Sequence, residues 1–323
     1  MAELMYPNIY SIQIPLPNNP LKSLNSYIIV SEDRNLIIDT GFNQSECKEA
    51  LFGGLHELGI DLAKTDVLLT HLHADHTGQA KALEDKGARI YAGTTESITI
   101  QEMADPHSWT RIKDLITKYG LEKYGILIEN LPGYRYRPEK LSCCHPLAEG
   151  DQLRYGDYVF SVVDIPGHTP GHIGLYEPNQ GLFFCGDHIL NSITPNITLW
   201  NYELNSLAQY LASLAKVRSM DIRRLFTAHR EGVEDYKTRI DQLIGHHHKR
   251  LQEIMNILEQ GDKSACEVAS LMKWEIRAKS WEDFPIAQKS FATGEAASHL
   301  EYLFHGGQIH RTCTEGVMYY RLP

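Results

Sequence analysis

From Ile9 to Ile14 apolar and polar residues alternate, the period of a strand with one buried face. Short β-branched runs at 26–30 and 35–39, joined across Asp33-Arg34-Asn35, predict a hairpin. The period then lengthens: Cys47, Ala50, Leu51, Leu55 and Leu58 recur at threes and fours, as on one face of a helix that Gly59 ends. Val67 to Leu69 reads as a buried strand running toward His71, after which Thr77 is placed to cap a helix reaching Lys86. A strand at 88–92 and a helix at 94–103 follow. Strand patterns return at 152–155, 158–164, 172–176 and 181–185, then a helix at 204–217 and a strand at 225–227. Strands then helices, twice over, predict an α/β fold: a four-layer αββα sandwich with the helices outside two stacked sheets.

Two stretches depart from this pattern. Residues 107–142 are rich in Tyr, Arg and Gly, with one helical piece at 109–119. That is too long for a simple connection and is expected to form a binding loop or lid. From about Gly245, helices at 247–258, 264–272 and 293–304 precede Gly306-Gly307, where positive φ would close the last helix, and two strand patterns at 308–312 and 316–321. The division is therefore expected at 1–244 and 245–323, the second part a small winged-helix-like domain similar to those that bind DNA through a third helix. His246-His247-His248 starts its first helix and is expected on a solvated face, since three consecutive residues point in different directions.

The 323 residues are 42% hydrophobic and 22% charged, which removes collagen-like, disordered and low-complexity readings. A net charge of −10 speaks against a general nucleic-acid or anionic-membrane binder. No window approaches the ~18 to 20 consecutive apolar residues of a membrane span. Met1 to Pro7 lacks the pattern of a secretory signal, so a cytoplasmic protein without membrane association is expected. The six cysteines show no CxxC spacing and are expected as free, mostly buried thiols, with only Cys143 and Cys144 partly exposed. The unusual count is 16 histidines, the side chain that titrates near neutrality and ligates metals.

Several of those histidines are grouped. His71-x-His73-x-Asp75-His76 places three imidazoles and a carboxylate on six residues just after a strand. Mixed nitrogen and oxygen donors suit Zn, Fe or Mn better than Mg or Ca, which prefer oxygen alone. Further donors recur at strand ends: Pro166-Gly167-His168-Thr169-Pro170-Gly171-His172, Cys185-Gly186-Asp187 and Thr227-Ala228-His229. A site shared along one edge of a sandwich requires that recurrence.

Over residues 8 to 240 the chain resembles the metallo-β-lactamase-fold hydrolase superfamily. Five motifs carry the likeness in order: Asp39-Thr40-Gly41, HxHxDH, the PGHTPGH histidine, the Gly-Asp aspartate and the late histidine. The resemblance implies that His71, His73 and His168 hold one divalent metal, that Asp75, His76 and His229 hold a second, and that Asp187 bridges them. Asp75 would also be catalytic, one oxygen ligating while the other orients a metal-bridging hydroxide. Asp39 is expected to orient a ligand from behind, and His172 to act behind the ligands rather than as one. Zinc is the expected metal, with iron and manganese compatible.

The substrate is narrowed by differences from known branches. True β-lactamases are exported and use other residues at the bridging position. Flavodiiron proteins replace the second motif histidine by glutamate, and persulfide dioxygenases generally lack the last ligand. Hydroxyacylglutathione hydrolases match all seven ligands, but His188-Ile-Leu-Asn191 does not resemble their glutathione signature. The overall resemblance is to bacterial hydrolases of this fold with a C-terminal winged-helix-like domain, a group that includes relatives of an endoribonuclease.

From Gly245 onward there are nine Lys/Arg and ten Asp/Glu, and the expected third helix carries Glu295 and Glu301 without a basic residue. A structural cap or homodimer contact is therefore favoured over nucleic-acid binding, which needs Lys or Arg for phosphate. In 107–142 seven Lys/Arg face four Asp/Glu, and Tyr134-Arg135-Tyr136-Arg137 is a candidate cationic wall for a substrate. The reading is a dinuclear metal-dependent hydrolase of a small, anionic ester, thioester or lactone. A phosphodiesterase or endoribonuclease with the same site is the first alternative. The second is a winged-helix nucleic-acid-binding regulator with a metal-sensing domain.

Overall fold

The alternating run that begins at Ile9 is the second strand of a seven-stranded sheet in the computed structural model, which describes residues 1–275 and 278–323. The sheet is β1 (Ala2–Tyr6), β2 (Ile9–Pro15), β3 (Ser23–Ile29), β4 (Asn35–Ile38), β5 (Thr65–Leu69), β6 (Arg89–Gly93) and β7 (His145–Leu147), in that spatial order. The first four strands pair antiparallel; β4 to β7 run parallel. Between them lie α1 (Ser45–Glu57), α2 (Ala74–Thr77), α3 (Ala80–Glu84), α4 (Thr94–Ala104), α5 (Thr110–Lys118) and α6 (Pro132–Arg135). A second sheet has the order β12-β11-β10-β9-β8, formed by β8 (Gln152–Tyr155), β9 (Tyr158–Asp164), β10 (Ile173–Glu177), β11 (Leu182–Phe184) and β12 (Arg224–Phe226). Its helices are α7 (Ser206–Arg218) and α8 (Tyr236–Leu258).

Three apolar layers separate these elements. Ile29, Ile38, Leu68, Phe160, Leu175 and Phe184 pack between the sheets, where Phe184 stacks on Phe226 at 4.4 Å. α1, α3 and α4 bury Leu51, Leu83 and Ile100 against the outer face of the first sheet. α7 and α8 bury Leu214, Ile240 and Leu243 with Phe183 and Leu225 of the second. This is the expected four-layer αββα sandwich, assembled because each strand presents alternate residues to opposite faces.

Several local expectations need correction. β1 and β7 lie outside the expected strands; β1 borrows its order from pairing with β2, and its burial pattern does not alternate. Thr77 does not cap a helix: it ends α2, and its hydroxyl donates to the carbonyl of His73. The helix is interrupted because Gly78 presses on the 41–43 backbone, where a Cβ would sit 2.1 Å from Asn43 N. The His76 carbonyl is also drawn aside by Thr40 N and Oγ1, at 2.9 and 2.7 Å. Cys313 is exposed along with Cys143; all six thiols are free.

The C-terminal residues form β13 (Lys263–Ser264), α9 (Ala265–Leu271), α10 (Ile286–His305), β14 (His310–Thr314) and β15 (Val317–Arg321), the three strands pairing in the order β13-β15-β14. Ser264 and Glu267 close a reciprocal capping box on α9, and Gly307 takes a φ of 68° just beyond α10.

The expected boundary at 244/245 falls inside α8, a continuous helix of 23 residues. α8 has already begun nine residues before Gly245, and one apolar cluster joins Tyr210 and Leu214 of α7 to Ala296 and Leu300 of α10. His247 is therefore not on a solvated face. It is wholly buried, 3.0 Å from His299 Nε2, because α8 packs on both sides. α10 likewise begins earlier than expected and includes Lys289; every residue from Ala292 to Glu301 is buried. Among the described residues no helix is long and apolar enough to cross a membrane.

Candidate metal centre

The donor residues lie where strands end. Asp39 follows β4, His71 follows β5, His168 closes the turn after β9, Asp187 follows β11 and His229 follows β12. α2 supplies Asp75 and His76, with His73 just before its first turn. The sandwich thus turns scattered motifs into one cluster at one edge.

Three groups of donor atoms converge: His71, His73 and His168; Asp75, His76 and His229; and His71, His76 and Asp187. Within each group the atoms all lie within 4.8 Å of one another. In the first group His73 Nδ1 is 3.0 Å from both His71 Nε2 and His168 Nε2. Asp187 faces both sides: Oδ1 is 3.6 Å from His76 Nε2 and 3.4 Å from His229 Nε2, and Oδ2 is 3.7 Å from His168 Nε2. Asp75 Oδ2 lies 3.4 Å from His229 Nε2.

The outer nitrogens of these rings fix their tautomers. His168 Nδ1–H donates to the carbonyl of Asn196, and His229 Nδ1–H to that of Ser23, each at 2.8 Å. His76 Nδ1 is 2.8 Å from Asp39 Oδ2. The same carboxylate accepts from the amide and hydroxyl of Thr70, each at 2.8 Å. With its proton given to Asp39, the Thr70 hydroxyl accepts from His71 Nδ1 at 3.1 Å. In the neutral tautomers that these partners select, the Nε2 atoms of His71, His76, His168 and His229 carry lone pairs that face His73 or carboxylate oxygens.

His76 Nε2, His229 Nε2 and Asp187 Oδ1 are buried and have no hydrogen-bond partner among the described residues. Unpaired buried polar atoms are costly, and convergent lone pairs on neutral imidazoles and carboxylates suit a divalent cation. The residues fit two such ions.

The electrostatics agree. Burial holds His73 down to about 3 and His168 down to about 4, so both rings stay neutral as ligands must. At His76 burial acts the same way, but Asp39, Asp187 and Asp75 outweigh it and hold the ring up to about 10. That half of the cluster calls for positive charge. Asp75 is held below its ordinary value: burial opposes, while His76 and His229 prevail.

His172 packs behind the donors. Its Nε2 accepts from the Asp187 amide at 3.3 Å, and its ring packs on His71 at 4.7 Å. Gly186 permits this approach: its φ is 52°, and a Cβ would lie 2.8 Å from His172 Nε2. Asp39 itself adopts a φ of 62°, an uncommon conformation for a residue with a side chain, at the point where it turns toward His76.

Supporting residues that the sequence did not point to are Thr70, Asn196, Ser23, Glu96 and Trp200. Glu96 is buried beneath the 166–172 turn and accepts from the Thr169 hydroxyl and, at 3.1 Å, from Gly171 N. Trp200 Nε1–H donates to the His168 carbonyl at 3.1 Å, and its ring lies 5.8 Å from that of His73. Thr70 had a signal, a hydroxyl beside His71 at a strand end; Asn196 and Ser23 act through carbonyls and had none.

The 107–142 insert folds as α5, α6 and short 3-10 turns, with α6 packed beside α2. Tyr136 lies 4.9 Å from Phe42. Arg137 is not a free wall: its guanidinium stacks on Tyr134 at 4.3 Å and donates to the Tyr134 carbonyl at 2.7 Å. Arg135 is exposed, 5.6 Å from the Tyr136 ring.

Comparison with known proteins accords with this geometry. The model of the metallo-beta-lactamase superfamily matches residues 20–229. A probable metallo-hydrolase of Bacillus subtilis is 24% identical over 311 residues, 92% of each chain. An atrochrysone carboxyl ACP thioesterase of Cryptosporiopsis sp. is 25% identical over 240 residues, 74% of this chain and 59% of that one. A crystal structure of a metallo-beta-lactamase family protein from Thermus thermophilus superposes with a TM-score of 0.85 at 26% identity, covering 99% of this chain and 100% of the other.

Proposed function

The chain belongs to the metallo-beta-lactamase superfamily, and we propose that it is a dinuclear metal-dependent hydrolase of a small anionic ester, thioester or lactone. The observation that carries this reading is Asp187, whose two oxygens face different donor triads, Oδ1 toward His76 and His229 and Oδ2 toward His168. His71, His73 and His168 would hold one ion, Asp75, His76 and His229 the other, and Asp187 both. Two divalent cations held there supply Lewis-acid polarisation of a substrate oxygen and water ionised near neutral pH.

The protein's own groups do the positioning. Asp75 holds one oxygen against His229 Nε2, leaving its other oxygen to orient the attacking water. Asp39 fixes His76 directly and His71 through Thr70. Arg135, exposed in the insert beside α2, offers a cation to an anionic substrate. The name of the fungal relative supports a thioester among the candidate substrates.

A nucleic-acid role through the third C-terminal helix is disfavoured by the burial of α10, including Glu295 and Glu301. The winged-helix-like reading of that region, homodimerisation through it, zinc as the metal and a cytoplasmic site of action remain parts of the proposal. The test compares generic thioesters and lactones with bis-p-nitrophenyl phosphate at equal concentration. Chelator-sensitive turnover of the first group, restored by zinc, is expected. Faster cleavage of the phosphodiester, or salt-sensitive retention on DNA or RNA without turnover, would overturn the assignment.

A further inference from the structure

The strand-ending loop that supports His168 is itself gripped by the C-terminal helices. Asn196 takes the His168 Nδ1 proton on its carbonyl at 2.8 Å, and Trp200 donates to the His168 carbonyl at 3.1 Å. One short loop therefore holds His168 by both its ring and its backbone.

The same loop is seated on α10. The Asn196 side-chain amide donates to Glu295 Oε2 at 3.0 Å and to the Phe291 carbonyl at 3.3 Å. Leu199 N donates to the Gly294 carbonyl at 3.2 Å, and a Cβ on Gly294 would fall 2.5 Å from Thr198 Oγ1. Glu295 is buried, with Arg250 Nε and His246 Nε2 of α8 each 3.9 Å from its other oxygen.

We propose that Glu295 is a positioning residue for the three-imidazole metal site: by anchoring the Asn196 side chain it fixes the carbonyl that orients His168. The C-terminal helices then serve the metal centre directly, beyond capping the sandwich. The proposal rests on the metal assignment made above.

The test is zinc affinity of the whole chain, read by competition with a chromogenic chelator, with folding followed by circular dichroism. Removing a partner behind a ligand typically weakens metal binding ~10- to 100-fold, and an effect relayed through Asn196 belongs at about tenfold. Glu295→Ala and Asn196→Ala should each weaken one of the two zinc ions by that factor and leave the other unchanged, as a mild copy of His168→Ala. The double variant should match the singles, because both remove one link. Glu295→Gln, which keeps an acceptor for the Asn196 amide, should restore wild-type binding.

Folded Glu295→Ala and Asn196→Ala proteins with wild-type affinity at both ions would overturn the proposal. So would equal weakening of both ions, which marks general destabilisation. Failure of the wild-type chain to bind zinc, iron or manganese would instead overturn the metal assignment beneath it.

Discussion

The carboxylate of Asp39 lies 2.8 Å from His76 Nδ1, although Asp39 follows β4 and His76 lies on α2. A carboxylate behind an imidazole sets its tautomer and raises its basicity toward a metal. Asn tolerates positive φ better than most residues, so Asp39→Asn isolates the charge from the backbone strain. Metal affinity is expected to fall ~10- to 100-fold. A chelator competition showing undiminished affinity would count against the role given to Asp39.

Asp187 is the group with an oxygen toward each triad. Its replacement by alanine should cost more than loss of an outer partner, roughly a hundredfold or more in metal affinity, with turnover lost in parallel. Elemental analysis after gel filtration checks the first expectation and the thioester assay the second. The apolar layer between the sheets does not include Asp187, so circular dichroism should stay close to wild type.

Glu96 makes a stability prediction with a definite sign. Burial raises its carboxyl from 4.5 to about 7, against the hydrogen bonds from Thr169 and Gly171. Between those two values the folded state holds a proton that the unfolded chain has released, so folding stability falls as pH rises. The penalty is absent below about pH 4.5, where both states are protonated, and complete above about pH 7, of order 3 kcal/mol. Glu96→Gln removes this titration. Urea denaturation of the two proteins at pH 5 and pH 8 should show the variant gaining on the wild type at the higher pH; parallel behaviour would contradict it.

Arg135 is exposed on the insert, so its contribution is screened by salt. Arg135→Ala should raise KM for an anionic thioester a few-fold at low ionic strength, matching the ~0.2 to 1 kcal/mol of an exposed ion pair. The value of kcat should not change, and the difference should fade in high salt. A neutral ester used in the same assay provides the contrast.

The strand ends are legible because the chemistry repeats there: His71, His168, Asp187 and His229 each follow an apolar run short enough to be a strand. What the sequence conceals has a common physical cause. Asn196 and Ser23 act through backbone carbonyls, which every residue possesses. β1 gains its order from its neighbour β2 rather than from its own pattern. His247 escapes a local rule about consecutive residues because that rule ignores what surrounds a helix, and α8 is covered on more than one side. Gly245 suggests a boundary, yet a lone glycine in a long, well-packed helix is tolerated at about 1 kcal/mol relative to alanine.

The continuity of α8 bears on how the protein comes into being. All seven donor side chains, His71 through His229, are synthesised before α10, and α10 completes the apolar layer outside the second sheet. A ribosome-bound chain halted after residue 244 would therefore display a severed helix and an uncovered apolar face. The apolar layer is then closed only when α10 is added, and the two ends of α8 are expected to unfold together in one transition.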